Sequence, residues 1–163
     1  MIRRLLILLA LAGALIASPL AAQPKFPALS GRVVDNADIL TPDVEARLTA
    51  KLEALETQSQ RQLVVATIPD LQGYDISDYG YQLGRAWGLG DKERNDGALL
   101  IVAPNDRKVR IEVGYGLEGY LTDALSSLII QNQILPAFRD GDFPGGIEAG
   151  TDAIIAQLQL PPE

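Results

Sequence analysis

The chain is predicted to be an α/β protein, a three-layer α/β/α sandwich around a small mixed sheet, and three patterns carry that prediction. Two short runs, Leu63 to Ile68 and Ala98 to Ala103, are continuously apolar and partly β-branched, as in strands covered on both faces. Around them, apolar residues recur at steps of three and four, the spacing of amphipathic helices. Lys108 to Val113 instead alternates strictly, the mark of a strand with one face toward solvent. Helix-linked parallel strands followed by a hairpin build a mixed sheet with helices over both faces.

Taken in order, residues 23–34 hold two prolines and a glycine and read as an extended arm. Thr41 and Pro42 supply an N-cap and a first helical residue, and Val44, Leu48, Leu52 and Leu55 stripe the helix near 42–60. Pro69 ends the first strand. Ile76, Tyr79, Leu83 and Trp87 mark a second helix closed by Gly88 and Gly90, and Trp87, Tyr79 and Tyr81 are expected in the core. Pro104 to Arg107 turns the second strand back into the alternating one. That pairing puts Val109, Ile111 and Val113 on one face and Lys108, Arg110 and Glu112 on the other. Arg107, Lys108 and Arg110 then form a small basic patch at the far end of the hairpin, expected to be solvated. A third helix starts at Thr122 or Asp123, carries Leu125, Leu128, Ile129 and Leu135, and is ended or kinked by Pro136. Residues 140–146 form a loop holding Asp140 and Asp142; Ile147, Ile154 and Leu158 stripe a fourth helix, which Pro161 and Pro162 stop.

Residues 1–22 stand apart from this domain. A basic head at Arg3 and Arg4, an apolar run from Leu5 to Ala17 and the small-residue stretch Ser18 to Ala22 compose a secretory signal peptide cut after Ala22. The apolar run of 13 residues is short of the roughly 20 a spanning helix needs. A periplasmic or secreted location in a bacterial envelope is therefore expected, and with no Cys a lipoprotein anchor is excluded. The whole chain carries a net charge of −7; loss of Arg3 and Arg4 takes it to −9, which argues against nucleic acid and anionic lipid as partners.

The composition narrows the chemistry further. Among the 163 residues there is no His and no Cys, so no imidazole triad, no disulfide and no zinc or blue-copper site of the ordinary kind can form. A metal bound here must be a hard cation held by oxygen, Ca²⁺ first and Mg²⁺ or Mn²⁺ next.

The hairpin indicates where such oxygens gather. The loop Asp91 to Gly97 enters the second strand and the loop Gly114 to Asp123 leaves the third, so both lie at one end of the sheet. Asp91, Asn95, Asp96, Glu118 and Asp123 are expected to meet there, and carboxylates sharing a small volume repel one another unless a cation stands among them. Asp35 and Asp38, just before the first helix, either cap it or reach the cluster through the arm.

Two partial motifs fail. From Asp91 the loop opens like an EF-hand, but its Gly97 stands at position seven rather than six and position twelve is Val102, inside a strand. Gly114, Gly116 and Gly119 spell G-x-G-x-x-G, yet the acid-bearing strand expected about 20 residues on is replaced by a helix, and Glu118 would repel a pyrophosphate. No dinucleotide is expected; the glycines let the backbone turn tightly beside a site.

Four segments in order, Val34 to Leu40, Arg85 to Gly90, Asn95 to Val102 and Arg110 to Gly119, resemble a TPM domain over roughly residues 30–158, with residues 35–163 taken as the domain. The resemblance implies a Rossmann-like sandwich and a divalent cation, usually Ca²⁺, at acidic loops. The matching positions here are Asp35, Asp96, Glu118 and Asp123. It also implies the acid-phosphatase activity ascribed to the plant thylakoid-lumen branch. Many bacterial relatives continue into a membrane helix and a Gly-rich tail, neither of which follows here, so a soluble envelope protein is expected. The two functional expectations are a Ca²⁺-binding module serving envelope or membrane proteins and a metal-dependent hydrolase of phosphomonoesters. For the leader itself, N-terminal sequencing of exported protein should begin Gln23-Pro24-Lys25; a protein that keeps Met1 to Ala22 after export would overturn the cleavage site.

Overall fold

The computed structural model describes residues 22–161; the leader expected at residues 1–22 lies, but for Ala22, outside the described residues. Strand β1 spans Val33–Asp35, helix α1 Pro42–Ser59, β2 Gln62–Thr67, α2 Ile76–Trp87, β3 Gly97–Ala103 and β4 Lys108–Val113. A single 3₁₀ turn, Tyr115–Leu117, leads to α3, Asp123–Ile129; a widened π turn, Ile130–Ile134, joins it to α4, Leu135–Arg139, and α5 runs from Phe143 to Leu158. The four strands stand side by side in sequence order. β1, β2 and β3 are parallel, and β4 returns antiparallel to β3 with Ala98 opposite Val113 and Ala103 opposite Lys108.

Alternation along the central strands sorts the core into two halves. Leu63 and Val65 of β2 and Leu100 and Val102 of β3 face α1, α3 and α5. Val64 and Ala66, with Leu99 and Ile101, face α2 on the other side. The expected three layers are present, with the arm as an addition to the α2 layer. Phe26 sets its ring edge-on against Tyr79 at 5.3 Å, the Trp87 indole donates to the Pro27 carbonyl at 2.9 Å, and the Gln72 amide brackets the Lys25 backbone. On the opposite side Arg61 lies 3.9 Å over the Tyr120 ring and donates to the Leu158 carbonyl, fastening the C-terminal end of α5, where cationic charge is favoured.

Several expectations change. Val33 and Val34 leave the arm to pair as β1, a strand of three residues too short to show alternation. The helical path does not stop at Pro136. The π turn restarts the helix at Leu135, so Pro136 falls in a first turn, where its missing N–H costs nothing. Of the expected stripe Ile129 is buried, but Leu128 is 51% exposed, and Ser126 and Ile134 face inward with Ile129. The last helix begins at Phe143 because Asp142 caps it, accepting from Gly145 N at 2.9 Å, and Pro144 fits its first turn. Tyr81 is exposed rather than in the core.

Two buried hydroxyls, Ser126 Oγ and Thr151 Oγ1, find no hydrogen-bond partner among the described residues. An unpaired buried hydroxyl costs about 1–3 kcal/mol. Thr151→Val, which keeps the shape and removes the hydroxyl, should therefore add about 1 kcal/mol of stability and raise the midpoint of a calorimetric melt; a loss of similar size would show that the hydroxyl is bonded.

Candidate functional site

The β3–β4 register brings the two acidic loops together, and the backbone locks them. Gly114 N donates to Gly97 O at 2.8 Å and Gly116 N to Asn95 O at 3.0 Å. The approach is close enough that a Cβ on Gly114 would collide with the Asn95 carbonyl oxygen, and one on Gly116 with that of Arg94. The glycine spacing that imitates a nucleotide motif thus serves loop-to-loop packing. β2 joins the lock through Gln62, whose N–H donates to Asp96 O at 3.0 Å and whose side chain accepts from Gly90 N at 2.7 Å.

Within the first loop, Asp91 Oδ1 accepts from Glu93 N at 2.9 Å and Arg94 N at 3.0 Å, closing a tight turn. Those backbone donors, that of Arg94 first, hold the Asp91 carboxyl below its ordinary value, with the Arg94 charge adding to the shift. Asp96 is buried and committed: Oδ1 accepts from Asp91 N at 2.8 Å and Oδ2 from Arg94 Nε at 2.7 Å. Arg94 Nη1 also lies 3.6 Å from Asp91 Oδ2, so one guanidinium stands between the two carboxylates where a cation was expected.

Above this frame opens a cleft of about 590 Å³ between the end of α2, the loop 91–95, β4 and the turn after it. Asp91, Asn95 and Glu118 line it as expected, joined by Glu112. Glu112 and Glu118 also border an adjoining cavity of about 370 Å³, which holds Asp123. The expected meeting of five residues at one point is not what forms. Asp96 lies beneath the cleft, bound to its own loop, and Asp123 lies beyond Glu118. Among the described residues no three Asp, Glu, His or Cys side chains stand close enough to hold a metal ion. Asp35 sits at the opposite end of the sheet, where it accepts from Ile39 N at 3.1 Å, Leu40 N at 2.9 Å and Thr67 Oγ1 at 2.6 Å. It braces the entry to α1 and is not brought to the other acids.

Four cleft residues escaped the sequence reading: Glu112, Tyr81, Arg85 and Tyr115. Glu112 stands opposite Leu99, whose side chain faces α2, so the alternation of β4 held the signal. Gly80 lets α2 come down on that face, since a Cβ there would meet Ile101 Cδ1 at 2.5 Å and Glu112 Oε2 at 3.7 Å. Arg85 donates to the Tyr81 hydroxyl at 2.8 Å, and Tyr115 is 82% exposed at the mouth.

The TPM domain family model matches residues 33–157. This chain belongs to the TPM domain family. The chain is 29% identical over 143 residues to UPF0603 proteins from two strains of Mycobacterium tuberculosis, a match covering 88% of this chain and 21% of each relative. The chain thus spans about a fifth of the length of the curated relatives it matches. Among solved structures, the N-terminal domain of a protein from P. gingivalis is 35% identical, with a TM-score of 0.73 over 78% of this chain and 81% of that one. The N-terminal domain of cg2496 from Corynebacterium glutamicum, 20% identical with a TM-score of 0.62 over 84% of each chain, shares the fold. So does BA42 from Bizionia argentinensis, 19% identical with a TM-score of 0.64 over 74% of this chain and 82% of that one.

The TPM-domain loop has an acid-sensitive element. Because the folded Asp91 carboxyl lies below the ordinary value of 3.8, its contribution to stability is present above that value and lost as pH falls through the folded one. In an acid titration followed by NMR, the Glu93 and Arg94 amides should shift together below pH 3.8; a transition at or above it would show that the turn does not hold the carboxylate.

Proposed function

We propose that this TPM domain is a divalent-cation-binding interaction module of the bacterial envelope, with Ca²⁺ as the preferred ion. The observation that carries the reading is the cleft lined by Asp91, Asn95, Glu112 and Glu118 at the hairpin end. Among the described residues no three acids stand within reach of one ion and Glu112 is paired with Arg110, so binding would have to draw the others together. In a chain without His or Cys these are the donors a hard cation would use. The donor set suits Ca²⁺, which accepts six to eight oxygens in flexible geometry and takes water for those the protein does not supply. Asp91, Asn95 and Glu118 would hold the ion, with Asp123 next to them across Glu118. Asp91 and Asp96 are balanced by Arg94, so a cation drawing on either competes with that guanidinium. The leader-like residues 1–22 support an envelope location, and envelope or membrane proteins are the partners such a module would serve.

A second reading, hydrolysis of phosphomonoesters, is favoured by Arg85 and Lys92, which line the same cleft and could face an anionic substrate. A cation there would supply Lewis-acid polarisation.

A melt in Ca²⁺, Mg²⁺ or chelator tests the first reading. Binding to the native state should raise stability by about 2.7 kcal/mol at a hundredfold excess over Kd. Glu118→Gln should diminish the shift, whereas Arg94→Gln should enlarge it by freeing Asp91 of its cationic partner. No shift at millimolar Ca²⁺ overturns the cation site. Release of phosphate from an aryl phosphate, abolished by Glu118→Gln, would establish the second reading.

A further inference from the structure

A separate cavity lies at the other end of the hairpin. It encloses about 450 Å³ where the β3–β4 turn meets the corner between α4 and α5, within the range of small-molecule sites. Val102 and Ala103, wholly buried, form its floor, and Val109, Leu135, Phe138 and Phe143 form half-buried apolar walls. The rings of Phe138 and Phe143 stand 4.9 Å apart and tilted by 56°. The π turn sets up this wall by restarting the helix so that Ile134 enters the core while Leu135 and Phe138 border the cavity; such turns recur at functional sites.

The rim is basic. Arg107, Lys108 and Arg139 line the cavity and no acid does, in a chain with 21 acidic against 14 basic residues. These charges are largely unspent. Lys108 belongs to the α2 face of β4 and turns its ammonium to within 4.0 Å of Asp75, whereas Arg107 and Arg139 have no ion pair among the described residues. The nearby Asp142 is occupied in capping α5. Arg110, expected to share this patch, instead pairs with Glu112 at 2.7 Å.

An apolar cavity with a cationic mouth is complementary to a molecule with an apolar tail and an anionic head. Covering the walls removes apolar surface from water, while the guanidinium groups give directed bonds to carboxylate or phosphate oxygens. We propose that this cavity binds a small anionic amphiphile, its tail against Phe138, Phe143 and Val109 and its head at Arg107 and Arg139. The site is independent of the acidic cleft and of any cation bound there.

NMR titration of the protein with decanoate, decyl phosphate and decyltrimethylammonium, each below its micellar concentration, tests the assignment. Decanoate or decyl phosphate should shift the resonances of Val109, Phe138 and Phe143 with one molecule bound per chain, and the stronger of the two identifies a fatty-acid or a phosphate head. Decyltrimethylammonium should bind at least tenfold more weakly. The double variant Arg107→Gln, Arg139→Gln, altering exposed side chains only, should weaken anionic binding at least tenfold with an unchanged melting point. Equal affinity for the cationic amphiphile, unaltered binding by the double variant, or shifts confined to other residues would overturn the proposal. Inorganic phosphate binding as well as decyl phosphate, or an apolar peptide carboxyl terminus outbinding both amphiphiles, would overturn it in favour of a plain anion site or a peptide-end site.

Discussion

β3 is covered on both faces and paired along both edges, and the rest of the molecule is arranged around that enclosure. Each of its seven residues, Gly97–Ala103, is buried. A strand so placed satisfies its backbone groups only through neighbours, which requires β2 on one side and β4 on the other. Its alternate side chains also call for an apolar layer above and below. α2 closes one face and α1 with α3 and α5 the other. The ends of β3 are the places where this enclosure opens, and the acidic cleft and the basic-rimmed cavity lie at those ends. One begins at Gly97 and Ala98, the other at Val102 and Ala103.

Charge is distributed unequally between the two ends. At the first, acids outnumber bases, and Arg94 tempers them by bridging Asp91 and Asp96. Its arm to Asp91 is exposed and worth little as stability; the effect of the bridge is on what the loop can bind. Asp96, buried below, spends both carboxylate oxygens on holding loop 91–96 in shape. The distinction between an acid that shapes a loop and an acid that faces a ligand is invisible in composition, since both are aspartates in one short stretch.

Much of the fold was legible because it is local. The stripe Val44, Leu48, Leu52, Leu55 is buried as expected, the two apolar runs are central strands, and the alternation of Lys108–Val113 makes an antiparallel edge. What escaped depends on distant partners. β1 is recognisable only through Val65 to Thr67, and the π turn arises where helices from separate parts of the chain pack on Ile134. For the candidate site, the hairpin correctly placed Asp91, Asn95 and Glu118 at one end. Asp35 lay beyond its reach because the direction of β1, not the spacing of acids, determines which end it occupies. Glu112 was hidden because a charged residue on an alternating strand reads as solvated until a helix is seen to cover that face.

The order of the strands has one more consequence. The links β1–α1–β2 and β2–α2–β3 advance the same way across the sheet, yet α1 and α2 cover opposite faces. Two such crossovers are necessarily of opposite hand, so one of them runs against the right-handed preference that about 98% of parallel connections obey. Doubly wound sheets cover both faces by reversing strand order, and the reversal opens a crevice at the carboxyl ends of their strands. Here both faces are covered by a change of hand instead. The carboxyl end of β1 is thereby left to the Asp35–Thr67 brace, and that of β3 to the turn at Pro104.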